Sequence, residues 1–271
     1  MKNLLVIYYS QTGQLKEIIS NFVKPWNVSY NIDFVEIKSD AFSFPMRYKQ
    51  FFDVFPETVL KLPSEIHYTI NEKDYDCIIL GFQPWFLHTS IPFNSFMQTD
   101  DFKKLVRNKP VILVVDSRNT WRNSLNEVIV ETEKNAGNIK GMFAFRDTSK
   151  NRAGLFPLLH WLLTGKKESS FKALQGGGIL QEVIDSADIY GTKALAALDD
   201  TDRTYIVIPH INEEFTSIKY EQWAIEKYLK WAKFISKNNF KYRRFKLFLF
   251  RVWILSIFFF VTPFISKRAK K

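Results

Sequence analysis

The hexad Ser10-Gln11-Thr12-Gly13-Gln14-Leu15 is the part of the sequence best suited to hold an anion. It lies between a strand-forming apolar run, Leu4 to Tyr9, and a helical pattern of Leu15, Ile18, Ile19, Phe22 and Val23 that stops at Pro25. Backbone N–H groups at such a helix start point outward, the helix dipole favours negative charge, Gly13 lets the backbone come close, and Ser10 and Thr12 add hydroxyl donors. The loop has neither the second glycine of a dinucleotide fingerprint nor the lysine of a Walker loop, so it suits a phosphomonoester held without a metal. For proton transfer the chain offers His67, His88, His160, His210 and the strand-end carboxylate Asp116, which could equally cap a helix. Cys77, the one cysteine, sits inside an apolar run and suits neither a disulfide nor nucleophilic chemistry.

The elements that must carry these groups alternate. Strands are predicted near 30–37, at Cys77–Leu80, Val111–Val115 and Met142–Phe145, with helices over Phe93–Val106 and Trp121–Asn135 between them. With β-strand Leu4–Tyr9 first, this alternation specifies a doubly wound α/β fold with a parallel five-stranded sheet. Residues 146–203 read as an insertion around the last sheet strand, with an apolar piece at Leu155–Leu163, a Gly176-Gly177-Gly178 loop and a helix from Gln181 to Leu198. A short strand at Tyr205–Ile208 and an amphipathic helix near Glu213–Ser236 complete a body over 1–236.

Composition narrows the classes. With 46% apolar and 24% charged residues among 271, a disordered chain is excluded. The net charge of +10 does not mark a nucleic-acid binder, because residues 237–271 hold ten of the 38 Lys and Arg and none of the 28 Asp and Glu, leaving the body neutral. Lys2 is followed by only six apolar residues, fewer than a signal peptide needs, so a cytoplasmic location is expected.

The first-strand loop resembles the FMN phosphate loop of the flavodoxin-like family, Ser/Thr-x-Thr-Gly-x-Ser/Thr; Leu15 replaces the final hydroxyl and removes one phosphate hydrogen bond. The resemblance implies the strand order 2-1-3-4-5 and FMN, with Ser10, Gln11, Thr12, Gly13, Gln14 and Leu15 around its phosphate. It also implies two further loops at the carboxyl ends of strands. Gly81-Phe82-Gln83-Pro84-Trp85-Phe86 is similar to the family's loop beside the flavin ring, with Gln83 and Pro84 in contact and Trp85 or Phe86 as the stacking face. In the loop from Asp116 to Trp121, Ser117 and Asn119 would bond the ring's polar edge. His88, just beyond Trp85-Phe86, becomes the first candidate for proton transfer, with Asp116 the other.

More narrowly, the combination of the hexad, Phe51–Glu57, Trp85–Pro92, Arg118-Asn119-x-Trp121, His160-Trp161 with Thr164–Lys167 and the basic aromatic tail resembles the dialkylresorcinol condensing enzymes or aromatases of pigment pathways. That implies an FMN-dependent oxidation of a 2,5-dialkylcyclohexane-1,3-dione to a dialkylresorcinol, with a lipid-like substrate and a separate ketosynthase partner. An NAD(P)H:quinone reductase, an electron carrier without its own substrate, and a flavin-free scaffold remain open alternatives, as does a homodimer.

The tail gives the membrane reading. Val252–Ile265 is a charge-free run of 14 residues, about 21 Å as a helix and short of the ~30 Å hydrocarbon core, with basic clusters on both sides. Residues 240–271 are therefore expected to attach the protein peripherally to the cytoplasmic membrane surface.

Overall fold

A computed structural model of the chain describes residues 1–118, 120–147, 155–168, 177–208, 215–237 and 240–257. Asn119, Gly176, His210 and the end of the tail, 258–271, lie outside the described residues.

Strand β1 (Lys2–Tyr8) is buried from Leu4 onward on both faces. Its side chains divide with the strand period of two: Leu4, Val6 and Tyr8 enter one apolar core, Leu5 and Ile7 the other. Both cores need a helical cover, which is why every pairing in the main sheet is parallel. The order is β2-β1-β3-β6-β7-β8, with β2 Tyr30–Glu36, β3 Cys77–Phe82, β6 Pro110–Ser117, β7 Asn138–Arg146 and β8 Thr204–Ile208. The expected doubly wound order is present with one correction. The sheet has six strands rather than five, because Thr204–Ile208 returns after the inserted segment and pairs in register with Gly141–Phe145.

Helix α1 (Gln14–Phe22) has no side-chain hydrogen bond at its N-cap, Gly13. Packing holds it instead: Leu15, Ile18, Ile19 and Phe22 are fully buried, at roughly 2 kcal/mol each against the ~1 kcal/mol of a missing cap. It then gives way to a 3-10 turn, Lys24–Val28, that contains Pro25. The helix expected over Phe93–Val106 is two, α4 (Ile91–Met97) and α5 (Asp100–Val106). Thr99 divides them, its hydroxyl accepting the Phe102 N–H at 3.2 Å and starting a new helix. The helix expected over Gln181–Leu198 likewise divides at Ser186 into α8 (Gln181–Asp185) and α9 (Ala187–Ala197).

Two short helices, α2 (Tyr48–Asp53) and α3 (Phe55–Val59), follow β2, and a two-residue hairpin, β4 (Pro84–Trp85) with β5 (His88–Thr89), follows β3. Helix α6 (Arg122–Lys134) leads into β7, and α7 (Leu155–Thr164) follows it. The N-terminus of α6 is capped from far along the chain, Glu221 accepting the Asn123 N–H at 3.0 Å. Glu221 belongs to α10 (Phe215–Ser236), which pairs with α11 (Phe240–Ser256) in a third apolar cluster of Phe52, Phe55, Leu87, Tyr228, Leu247 and Phe250 among others. The tail helix is thus docked on the body over its described length. Arg243 pairs with Glu57 at 2.7 Å and Arg251 with Asp53 at 2.8 Å, while Phe250 stacks on Phe55 at 3.7 Å. None of the helices among the described residues is long and apolar enough to cross a membrane.

Candidate cofactor site

The carboxyl ends of β1, β3 and β6 lie side by side, Tyr8 opposite Gly81 and Gly81 opposite Val114, so the loops leaving them converge. The hexad forms one of these loops. Gly13 adopts φ 85, the left-handed region where a Cβ is strained, and opens α1 there. The N–H groups of Thr12, Gly13, Gln14 and Leu15 have no hydrogen-bond partner among the described residues. Four such donors on one helix start fit a phosphate dianion, and Ser10 and Thr12 lie in the same turn, Ser10 Oγ accepting the Lys16 N–H at 3.3 Å. Lys16 itself turns away to Glu36 at 3.0 Å, so backbone, not lysine, supplies the charge complement.

The other hexad side chains support this loop. Leu15 is fully buried in the core, so only its N–H faces the loop. Gln14 is clamped to the inserted segment, donating to the Ile179 carbonyl at 3.0 Å and accepting the Ile179 N–H at 2.9 Å. Any Cβ on Gly178 would meet Gln14 Oε1 at 2.6 Å and Trp161 at 2.8 Å, so the segment after α7 lies directly against the loop. Gln11 accepts from the Tyr9 hydroxyl and donates to the Ser43 carbonyl.

Gln83 ties two of the three loops together. Its Oε1 accepts the Gln11 N–H at 2.8 Å and its Nε2 donates to Asp116 Oδ2 at 2.9 Å. Asp116 is buried, and burial pushes its carboxyl up to about 7; the charge of Asp147 adds to this, while the Gln83 hydrogen bond and Lys167 oppose it. Asp147 follows β7, its N–H bonded to the Ser117 carbonyl at 3.0 Å and its carboxylate 3.9 Å from Arg118. Ser117 is buried beside Asp116. Trp121 closes the loop between the guanidinium groups of Arg122 and Arg146, at 4.4 and 4.5 Å from its ring.

The hairpin places Trp85 and Phe86 on different sides. Trp85 packs edge-on to Tyr9 at 5.9 Å and Phe42 at 5.2 Å, next to the hexad. Phe86 turns away into the third cluster, against Phe51 at 4.9 Å and Phe55 at 5.2 Å, and has no place beside the loop as a stacking face. Pro84 opens the hairpin and is half-buried. Phe86 and Leu87 both hold positive φ, 46° and 73°, the two-residue geometry that glycine or asparagine normally supplies.

His88, the first candidate for proton transfer, sits in a buried network through Nδ1, and its buried Nε2 has no hydrogen-bond partner among the described residues. Its Nδ1 lies 2.6 Å from Glu127, which also accepts the Thr89 N–H at 2.9 Å, the Thr89 hydroxyl at 3.0 Å, Asn123 Nδ2 at 3.2 Å and Lys61 Nζ at 3.0 Å. Burial pushes Glu127 up, but the hydrogen bond and charge of His88, with Thr89 and Lys61, outweigh it and hold the carboxyl at about 2. The spacing of the sequence carried no signal for Glu127, Asp147 or the Gln83 bridge. His67 is half-exposed against Asp40, and the His160 carbonyl accepts the Thr164 hydroxyl within α7. Cys77 is fully buried, and burial pushes its thiol up to about 12, which leaves no thiolate for a condensation. An open cavity of about 690 Å³ at the amino ends of β1, β2 and β3, lined by Met1, Lys2, Tyr30 and Asp76 among others, holds none of these converging groups.

No family model and no curated protein matches the chain. Solved structures similar to it include a flavoprotein from Lactobacillus acidophilus NCFM in complex with FMN, 20% identical with a TM-score of 0.44 over 55% of this chain and 96% of that one. The oxidised flavodoxin 1 from Bacillus cereus is 11% identical, TM-score 0.40, over 72% and 98%. A flavodoxin from the domain Archaea is 12% identical, TM-score 0.36, over 71% and 99%. At these values they assign no residue a role in this chain, whose strand order and registers define its fold by themselves.

Proposed function

We propose that the chain is a flavoprotein that binds FMN with its phosphate in the 10–15 loop and oxidises a 2,5-dialkylcyclohexane-1,3-dione to a dialkylresorcinol. The observation that carries this reading is the Gln83 bridge, which joins the start of the anion loop at Gln11, just before the four N–H groups without partners among the described residues, to the buried carboxylate Asp116 through two hydrogen bonds. Aromatising the dione removes two electrons and two protons. Bound FMN would supply the two-electron acceptor. Asp116 supplies the base: with its proton affinity set near neutrality it takes an acidic ring proton without needing strong basicity. The carboxylate is preferred to His88 because Gln83 ties Asp116 directly to the 10–15 loop, whereas His88 bonds to Glu127 of α6. Arg118 and Lys167, close to the acidic pair Asp116 and Asp147, offset the charge that this second carboxylate brings. A ketosynthase supplying the dione is the partner this chemistry requires.

An absorbance spectrum of the purified protein, with FMN titration, tests the cofactor. Micromolar or tighter binding is expected, lost in Thr12→Ala/Gly13→Val; no binding by the unaltered chain removes the redox reading. Asp116→Asn should keep FMN and lose dione oxidation by on the order of 10²-fold or more. Rapid reduction by NAD(P)H with quinone turnover and no dione oxidation would place the chain with the reductases.

A further inference from the structure

Helix α11 has two apolar faces and uses one. Leu247, Phe250 and Ile254 are buried against α3 and α10, while Tyr242, Phe245, Phe248 and Val252 are 58%, 60%, 57% and 48% exposed. At ~100° per residue the two sets project to opposite sides of the helix. An amphipathic helix normally buries its one apolar stripe, so a second stripe of four large apolar groups left in water lacks a cover. Trp223 and Phe234 of α10 are also partly exposed, and Trp223 stacks on Trp253 of α11.

Charge decides what covers it. Arg244 is exposed beside the stripe, Lys233 and Lys237 at the end of α10 are exposed, and 237–271 contains no acidic residue and ten basic ones, of which only Arg243 and Arg251 pair with carboxylates of the body among the described residues. A second copy of this face would set like charges against each other. An anionic lipid surface matches both features, taking the aromatic groups at headgroup depth and the basic groups at the phosphates. We infer that the outer face of α11, from Tyr242 to Val252, is a docking surface for an anionic membrane, with the helix lying in the interface rather than crossing it. This places the membrane one helix diameter, ~10 Å, from the cluster that holds Leu87 at the tip of the hairpin. The inference does not depend on FMN.

The test is co-sedimentation of the full chain with vesicles of phosphatidylcholine alone and of phosphatidylcholine with phosphatidylglycerol. Binding to the anionic vesicles only is expected, weakened on the order of tenfold by raised salt and again by Phe245→Glu/Phe248→Glu. Both substituted residues are solvent-facing, and an unchanged unfolding midpoint of the variant checks that the fold is kept. No binding to either vesicle overturns the inference, as does equal binding to both. Binding that the double substitution leaves intact assigns attachment to 258–271 and overturns it too. A dimer that the substitution dissociates would make a second copy the occupant. FMN titration of the same samples separates failure here from failure of the flavin reading.

Discussion

Asp116 and Glu127 stand on either side of one loop, at the end of β6 and within α6, and both are withdrawn from water. Their proton affinities nevertheless move in opposite directions, Asp116 up to about 7 and Glu127 down to about 2. Burial acts on both alike, so the difference lies in the donors. Glu127 receives His88, Thr89 twice, Asn123 and Lys61, whereas Asp116 receives Gln83 and faces the charge of Asp147. A carboxylate saturated with donors holds a structure together, and one left nearly bare can exchange a proton. The hairpin network and the strand-end loop divide these two tasks between them.

The strongest way to break the contrast is to remove the saturated member. Glu127→Gln removes the buried carboxylate on which His88, Thr89, Asn123 and Lys61 converge and should cost on the order of 3–5 kcal/mol in urea unfolding at neutral pH. Asp116→Asn keeps the Gln83 bond and removes a carboxyl whose ionisation the fold disfavours, so it should cost nothing at neutral pH or stabilise. Losses of equal size would dissolve the distinction.

The same pair sets two pH windows of opposite sign. Glu127 has a folded value below its unfolded one, so its contribution is complete above pH 4.5 and is lost as pH falls towards about 2. Asp116 has a folded value above its unfolded one, so the folded state holds the extra proton and stability falls as pH rises from 3.8 to about 7, then levels. Unfolding of the wild type and the two variants across pH should therefore show wild type and Glu127→Gln converging in acid, and Asp116→Asn losing the decline towards neutrality.

A smaller effect sharpens the Asp116 side. Gln83→Leu removes a hydrogen bond to a carboxylate and should cost about 1.5–3 kcal/mol, with the Asp116 carboxyl moving further up in a carbon-13 NMR titration. Thr89→Val removes one of the several donors to Glu127 and should cost about 1 kcal/mol by the same unfolding assay, the smallest of the losses.

Local signals made much of this legible. Continuous apolar runs marked β1, β3 and β6, the glycine at position 13 and the pattern behind it marked α1, and the loop between them fell where an anion site belongs. What stayed hidden is set by contacts between distant residues. His88 meets Glu127 across 39 positions, and Asn123 is capped by Glu221 across 98, pairings that no spacing rule contains. The hairpin turn was invisible because Phe86 and Leu87 take up positive φ without the glycine or asparagine that announces such a turn. The tail read as membrane-seeking because the charge-free run Val252–Ile265 lies between basic clusters; only packing shows that one face of α11, which carries the start of that run, belongs to the protein.

Gln14 bonds to Ile179, and Trp26 donates to the carbonyl of Gly191, each across 165 positions. During synthesis at roughly 5–20 residues per second, helix α1 therefore leaves the ribosome on the order of ten to thirty seconds before its outer cover exists. The anion loop, first to be made, is among the last parts of the molecule to be finished, and the young chain carries an open apolar helix face through most of its birth.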